Sequence, residues 1–113
     1  MRPPPPAPSP NRRARKGAPP PKHLALQERR LWTAIIRENV LDGEAALSIL
    51  RTTLEAHQRS RLCREQVDRD GAVITDRFDQ AKPHPLLSVE RDARAAFLAG
   101  MRSLKLDLVG DER

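Results

Sequence analysis

Aromatic residues are scarce in this 113-residue chain, which has no tyrosine, two phenylalanines and one tryptophan. A small domain buries only a modest fraction of its surface, and large rings contribute much of its core. With only Trp32, Phe78 and Phe97 available, the core has to be mainly aliphatic and thin. We therefore expect the protomer to be marginally stable by itself and to bury apolar faces against copies of itself.

Cysteine and long apolar runs are also lacking. Cys63 is the single cysteine, which excludes an internal disulfide and suits a reducing compartment. No apolar run approaches the ~20 residues that a membrane span requires. The first ten residues, MRPPPPAPSP, lack the apolar stretch of a secretory signal. We expect no membrane association and a cytoplasmic location.

Sequence motifs of catalysis and cofactor binding are absent as well. The chain has no phosphate-binding glycine loop, nucleophile elbow or dinucleotide-binding glycine pattern. His23, His57 and His84 are scattered, and Cys63 follows His57 by six residues, whereas two metal ligands on one helix need a spacing of three or four. The sequence therefore predicts no catalytic residue, no metal site and no cofactor. We do not expect an enzyme.

What the chain does have is a strongly cationic N-terminal segment. The first 22 residues hold six basic residues, no acidic residue and nine of the eleven prolines, whereas the rest holds 15 basic and 15 acidic residues. This composition predicts a disordered or polyproline-like arm over residues 1–22. Such an arm is suited to a polyanion, of which the phosphate backbone of nucleic acid is the commonest. Its basic residues are Arg2, Arg12, Arg13, Arg15, Lys16 and Lys22.

From Leu24 onward, helical periodicity predicts a mainly α fold. Apolar residues recur at helical spacing up to Val40, and an Asp-Gly pair at 42–43 interrupts them. The apolar stripe comprises Leu24, Leu31, Trp32, Ile35, Ile36 and Val40. The opposite polar side comprises Gln27, Glu28, Arg29, Arg30, Arg37 and Glu38.

A second, longer helix is predicted from near Glu44 to Asp70, because Gly71 accepts the left-handed conformation that ends helices. The two helices would form an αα-hairpin rather than a helix-turn-helix reader of DNA, since the second is far longer than a recognition helix. The apolar seam of the second helix runs through Ala46, Ile49, Thr53, Ala56, Ser60, Cys63 and Val67, and an adjacent row contains Leu47, Leu50, Leu54 and His57.

The remaining sequence predicts a short β-hairpin or an ordered loop over about 72–83. A third helix is predicted over about 87–104, with Phe97 and Met101 on its apolar face. The chain is thus divided into an arm (1–22), a helical oligomerisation body (23–108) and a frayed tail (109–113).

Two sets of residues follow as candidates for binding. For DNA they are the six basic residues of the arm together with Arg29, Arg30 and Arg37. For contacts between subunits they are Ile49, Leu50, Leu54, Phe97 and Met101.

Several motifs, taken in order, resemble a known family. They are PPKHL (20–24), ERRLWTAIIREN (28–39), REQVDRDG (64–71), ITD followed by KPHPLLSVERDARAAF (74–97) and SLKLD (103–107). This pattern is similar to the small terminase subunit of tailed bacteriophages, of the type encoded upstream of a large terminase and often near an HNH endonuclease. It covers residues 19–108.

The resemblance implies a non-enzymatic component of the genome-packaging machinery in the host cytoplasm. Small terminase subunits form homo-oligomeric rings, bind double-stranded viral DNA and regulate the large subunit, which carries the ATPase and the nuclease. Many of them have a separate helix-turn-helix domain, which this body does not contain, so DNA contact is expected to rest on the arm and on the surface of the ring. The alternative from another class is a small helical regulatory or scaffold protein whose arm binds RNA or a protein partner.

Overall fold

The structure is a computed structural model that describes residues 2–5, 18–41 and 43–106. Within these ranges the chain forms three helices and one two-stranded antiparallel sheet. In chain order the elements are α1 (Leu26–Glu38), α2 (Gly43–Asp70), β1 (Val73–Thr75), β2 (Ala81–Pro83) and α3 (Leu86–Ser103). The predicted mainly helical fold with a long second helix is confirmed, and residues 73–75 pair with residues 81–83 as a β-hairpin. Most of the predicted arm and all of the predicted tail lie outside the described residues.

The ends of the first two helices follow from local chemistry. Asn39 is extended, at φ −136° and ψ 151°, and its side-chain amide donates to the Ile35 carbonyl at 3.1 Å. This ends α1 before Val40, which is 84% exposed. The prediction that Val40 belongs to the apolar stripe was therefore wrong. Gly71 has φ +91° and donates its N–H to the Val67 carbonyl, which ends α2 as the sequence predicted.

The core lies where α1 packs on α2. Leu50 and Leu54 of α2 are fully buried, and Trp32 is only 3% exposed. Phe97 and Met101 of α3 pack against this cluster from the other side. The core is aliphatic with one large ring at its centre, as the composition predicted. Its buried members are Leu24, Trp32, Ile35, Ile36, Leu41, Leu50 and Leu54.

The second packing contact joins α2 and α3 into an antiparallel pair. Thr53, Ser60, Cys63 and Val67 of the predicted seam are buried, whereas Ile49 is 39% exposed. A Cβ atom on Gly100 would lie 2.0 Å from the Thr53 Oγ1, so the close approach of these helices requires glycine. No helix of the described residues is both long and apolar enough to span a membrane.

Candidate nucleic-acid interface

The outward face of α1 carries the body's predicted DNA-binding arginines. Arg29, Arg30 and Arg37 are exposed on the side opposite the buried Trp32 and Ile35. Their spacing of one, seven and eight residues places them on one helical face. They line an open groove together with Pro20, Leu26, Thr33 and Ala34. The lining of the groove thus combines three arginines with apolar and small residues.

The charges of this face are available to an anionic ligand. No described carboxylate forms an ion pair with Arg29, Arg30 or Arg37, although other arginines of the body do pair with acids. Lys22 is also exposed, in the turn that precedes α1. The planar guanidinium of arginine binds phosphate oxygens with two hydrogen bonds and loses less side-chain entropy per bond than lysine does. The arrangement therefore favours a polyanionic partner.

A buried ionic cluster on the inner side of α1 holds this helix in place. Glu28 is 0% exposed. Arg61 of α2 donates to both of its carboxylate oxygens, with Nη2 at 2.7 Å from Oε1 and Nε at 2.9 Å from Oε2. The His57 Nδ1 lies 2.6 Å from Oε2. The sequence placed Glu28 on the polar outer side of α1, which was wrong, because α2 supplies enough hydrogen bonds to bury a carboxylate.

The protonation state of this cluster follows from its contacts. Burial by itself raises the pKa of Glu28, but hydrogen bonds from Arg61 and His57 outweigh burial and bring the pKa below its ordinary value. The hydrogen bond with Glu28 raises the pKa of Arg61. Both groups stay ionised at neutral pH, so the pair ties α1 to α2 with its arginine face outward.

The chain that leads into α1 is also attached to the body. The Trp32 indole Nε1 donates to the Ala18 carbonyl at 2.9 Å, and Ala18 packs against the core. The Ala25 N–H donates to the Gln58 side chain at 2.7 Å. Residues 18–25 therefore run along the body, with Pro20 at the arginine groove. The N-terminal segment joins the body beside the cationic face of α1.

The other predicted residues fall in different places. Arg2 is exposed, and Lys22 lies before α1, whereas Arg12, Arg13, Arg15 and Lys16 lie outside the described residues. Leu50 and Leu54 are enclosed by the chain's own core, and Phe97 and Met101 are partly buried against it. Ile49 lies in an open groove between α2 and α3 that is otherwise lined by small residues. The roles of all these residues in binding stay predictions.

Sequence reasoning missed the residues that orient the site. Glu28 recurs four residues after Leu24 and four before Trp32, so its spacing already placed it in the apolar stripe. His57 was already placed in the row of Leu50 and Leu54 on α2, and Arg61 continues that row by one further step of four residues. The spacing was therefore a usable signal for these residues. The hydrogen bond from Trp32 to the Ala18 carbonyl leaves no signal in the sequence, because every residue has a backbone carbonyl.

Within the described residues, no group of three or more His, Cys, Asp or Glu side chains is arranged to hold a metal ion. A family model described as phage terminase, small subunit, matches residues 28–111 of the chain. Neither the curated proteins nor the solved structures contain a match.

Proposed function

This chain belongs to the phage terminase small subunit family, and on that premise we propose that it binds double-stranded viral DNA and regulates the large terminase subunit. Membership of the family gives it a role in phage genome packaging. The observation that carries the DNA-binding proposal is the cationic groove on α1, whose arginines are held outward by the buried Glu28–Arg61 pair. The site of action is the host cytoplasm, where packaging begins.

The arm and the groove have different roles in DNA binding. The basic residues of the first 22 positions neutralise phosphates without reading sequence, because a proline-rich segment offers no fixed array of side chains to match base edges. Arg29, Arg30 and Arg37 stand on a rigid helix and set the orientation of the duplex on the body. The arm therefore contributes most of the affinity for DNA, and the groove fixes the orientation of the duplex on the body.

Assembly into a homo-oligomeric ring is part of the same proposal. The thin core and the open groove beside Ile49 leave apolar and small side chains at the α2–α3 surface, where another helix has room to approach. A repeated contact of one surface with a different surface closes into a ring when the rotation between subunits permits. We assign residues 1–22 to the arm, 23–108 to the assembling body and 109–113 to the tail.

We assign no catalytic role to this subunit. ATP hydrolysis and DNA cleavage belong to the large terminase subunit, which this chain directs to viral DNA. Phosphoryl transfer and metal-dependent cleavage both require clustered acidic ligands or a phosphate loop. The purified chain is expected to show neither activity and to change the rate of the large subunit when it is added.

The test of the DNA-binding proposal is a charge-matched pair of variants. In the groove variant, glutamine replaces Arg29, Arg30 and Arg37, which removes three charges from the groove. In the control variant, glutamine replaces Arg51, Arg59 and Arg102, which removes three exposed charges from other faces. Binding to duplex DNA is measured by fluorescence anisotropy at several salt concentrations. We expect the groove variant to lose at least tenfold in affinity and the control variant to lose less than threefold. Equal losses would show that only net charge matters and would remove the groove from the proposal.

A further inference from the structure

Four exposed side chains form a single row along α1, which we call the central row. Its members are Leu26, Arg30, Thr33 and Arg37, at steps of four, three and four residues. At about 100° per residue, the row occupies about 60° of the helix circumference. Arg30 and Arg37 lie within about 20° of each other, whereas Arg29 lies about 80° from Arg37. The row therefore runs along the middle of the exposed face, and Arg29 lies on its flank.

The dimensions of α1 suit the major groove of DNA. Its 13 residues span about 20 Å, and an α-helix with its side chains is about 10 to 12 Å across. The major groove of B-DNA is about 12 Å wide and admits such a helix, whereas the minor groove is about 6 Å wide and does not. Of the described residues, only those of α1 and Pro20 line the arginine groove. The described part of the body therefore leaves the central row open to a duplex.

The residue types of the central row are those that contact base edges. Arginine donates two hydrogen bonds to the O6 and N7 atoms of guanine, and the threonine methyl group packs against the methyl group of thymine. Thr33 stands between the two arginines of the row, and Leu26 is 54% exposed at its N-terminal end. Phosphate oxygens offer no partner to apolar groups. The apolar groups in the row therefore favour bases over phosphates as its contacts.

The acidic residues of α1 and of the connection to α2 lie off the central row. Glu28 is buried against Arg61, and Glu38 lies about 100° around the helix from the last residue of the row. Asp42 and Glu44 follow the C-terminal end of α1 in the sequence. Phosphates are repelled by carboxylates, so the phosphate backbone is not expected to cross this end of the helix.

The basic residues outside the row lie at the N-terminal half of α1. Arg29 is exposed on the flank of the helix, and Lys22 is exposed in the turn before it. The one carboxylate of α2 that contacts this turn belongs to Glu55 and is hydrogen-bonded to His23 at 2.6 Å. Contacts to phosphates position a protein on DNA, and contacts to base edges give it specificity. Arg29 and Lys22 are thus suited to phosphates, and the central row is suited to bases.

We propose that α1 enters the major groove of viral DNA and that Arg30 and Arg37 each read a guanine. This inference rests on the proposed function and adds sequence recognition to a face that there only orients the duplex. The two arginines are seven residues apart, about 10.5 Å along the helix axis, and base pairs are stacked about 3.4 Å apart. The two guanines are therefore about three base pairs apart, and Thr33 contacts a thymine between them.

The experiment selects preferred sequences from duplexes that contain a randomised segment two helical turns long. The full-length wild-type protein is compared with Arg37→Gln and with Arg29→Gln, which removes the same charge from the flank of the helix. We expect the wild-type protein to enrich two guanines about three base pairs apart. Arg37→Gln should lose the preference for one guanine or exchange it for adenine, because glutamine pairs with the N6 and N7 atoms of adenine. Arg29→Gln should enrich the same sequence as the wild-type protein.

Affinities for the selected duplex and for a scrambled duplex of the same composition are then measured by fluorescence anisotropy at one salt concentration. We expect Arg37→Gln to lower the ratio of the two affinities at least tenfold and Arg29→Gln to change it less than threefold. Both variants should lose similar affinity for the scrambled duplex, because each loses one positive charge.

Three results would overturn the inference and leave the proposed function standing. They are duplex binding by the wild-type protein without an enriched sequence, the same enriched sequence from all three proteins, and equal losses of specificity in the two variants. The first would mean that α1 contacts only phosphates, the second that base contacts lie elsewhere, and the third that only charge matters. Failure of the wild-type protein to bind any duplex would overturn the proposed function as well.

Discussion

A single buried carboxylate decides how α1 presents its arginines. Glu28 is fully buried and accepts hydrogen bonds from Arg61 at both oxygens. A buried ion pair adds little net stability compared with apolar residues of the same size, but removing one partner leaves an uncompensated charge. The pair therefore acts mainly on specificity, because it favours one rotation of α1 about its axis. That rotation points Arg29, Arg30 and Arg37 to solvent.

Glu28→Gln should destabilise the protein by about 3 to 5 kcal/mol at neutral pH, because the charge of Arg61, whose side chain is 15% exposed, would stay mostly enclosed without its main partner. The matched control is Glu65→Gln, which removes the other acid bound to Arg61. Glu65 is 47% exposed, so its loss should cost less than about 1 kcal/mol. Urea unfolding of both variants measures the difference. Equal losses of unfolding free energy would contradict the role given to Glu28.

The same variant has a signature in the pH dependence of stability. The folded-state pKa of Glu28 lies below its ordinary value of 4.5. Its contribution is therefore present above the unfolded-state value and is lost as the pH falls through the folded-state pKa. We expect the unfolding free energy of the wild-type protein to fall below pH 4.5 more steeply than that of Glu28→Gln. Parallel curves would contradict this.

The sequence predicted the apolar stripe of α1 and its outward arginines, but it did not predict the buried acid. Periodicity treats every carboxylate as a surface residue, whereas Glu28 finds its partners 29 and 33 residues further along the chain. The bond from Trp32 to the Ala18 carbonyl was missed for a related reason. A backbone acceptor carries no residue type that a pattern can detect.

At the scale of elements, the sequence was most informative where glycine and proline mark boundaries. The second helix was predicted from near Glu44 to Asp70 and is found at Gly43–Asp70, because Gly71 ends it. The third helix, predicted over about 87–104, is found at Leu86–Ser103 after Pro83 and Pro85. The choice between hairpin and loop over 72–83 stayed open in the sequence, because three-residue strands carry too few side chains to show an alternation.

The contact of α2 with α3 gives a prediction at this scale. Gly100→Ala gains about 1 kcal/mol of helix propensity. It also places a Cβ atom 2.0 Å from the Thr53 Oγ1 and 2.9 Å from its Cβ. Overpacking costs about 1 to 3 kcal/mol, and Thr53 has little freedom to rotate within a helix, so we expect a net loss of stability.

The double variant Thr53→Ala/Gly100→Ala removes the 2.0 Å contact with the hydroxyl oxygen and keeps the gain in propensity, while the 2.9 Å contact between the two Cβ atoms remains. We expect it to be more stable than Gly100→Ala alone, which a double-mutant cycle of thermal unfolding would show as strong coupling. Additive effects of the two substitutions would mean that the helices separate instead of clashing. A shift of the whole α2–α3 pair would then accompany Gly100→Ala.

At the scale of the whole molecule, the family match and the excess positive charge lie in different parts of the chain. The match begins at Glu28 and covers the body, whereas the excess of positive charge lies before residue 23. The arm's role therefore rests on its composition and on the attachment of Ala18 beside the groove. The proposal of a ring rests on the thin core, and in the single chain Leu50 and Leu54 already belong to that core. Ile49 is the predicted interface residue with the most surface left for a neighbour.

Deleting residues 1–17 tests whether the arm contributes to DNA affinity without contributing to the association of subunits. The deletion removes Arg2, Arg12, Arg13, Arg15 and Lys16 and keeps Ala18, whose carbonyl holds the chain to Trp32. If all five cations contact phosphates, the slope of log affinity against log salt should fall by about 4 to 5 per engaged arm. Native mass should stay that of a multimer, because we propose that the body makes the contacts between subunits.

The control for chain length is the full protein with these five residues replaced by glutamine, which keeps the prolines and the reach of the segment. Both variants should bind duplex DNA weakly and with a similar, flat salt dependence. An unchanged slope in the glutamine variant would assign the arm to a partner other than DNA. A native mass of one subunit for the wild-type protein at micromolar concentration would contradict the ring, because marginal protomers with open apolar surfaces should associate under those conditions.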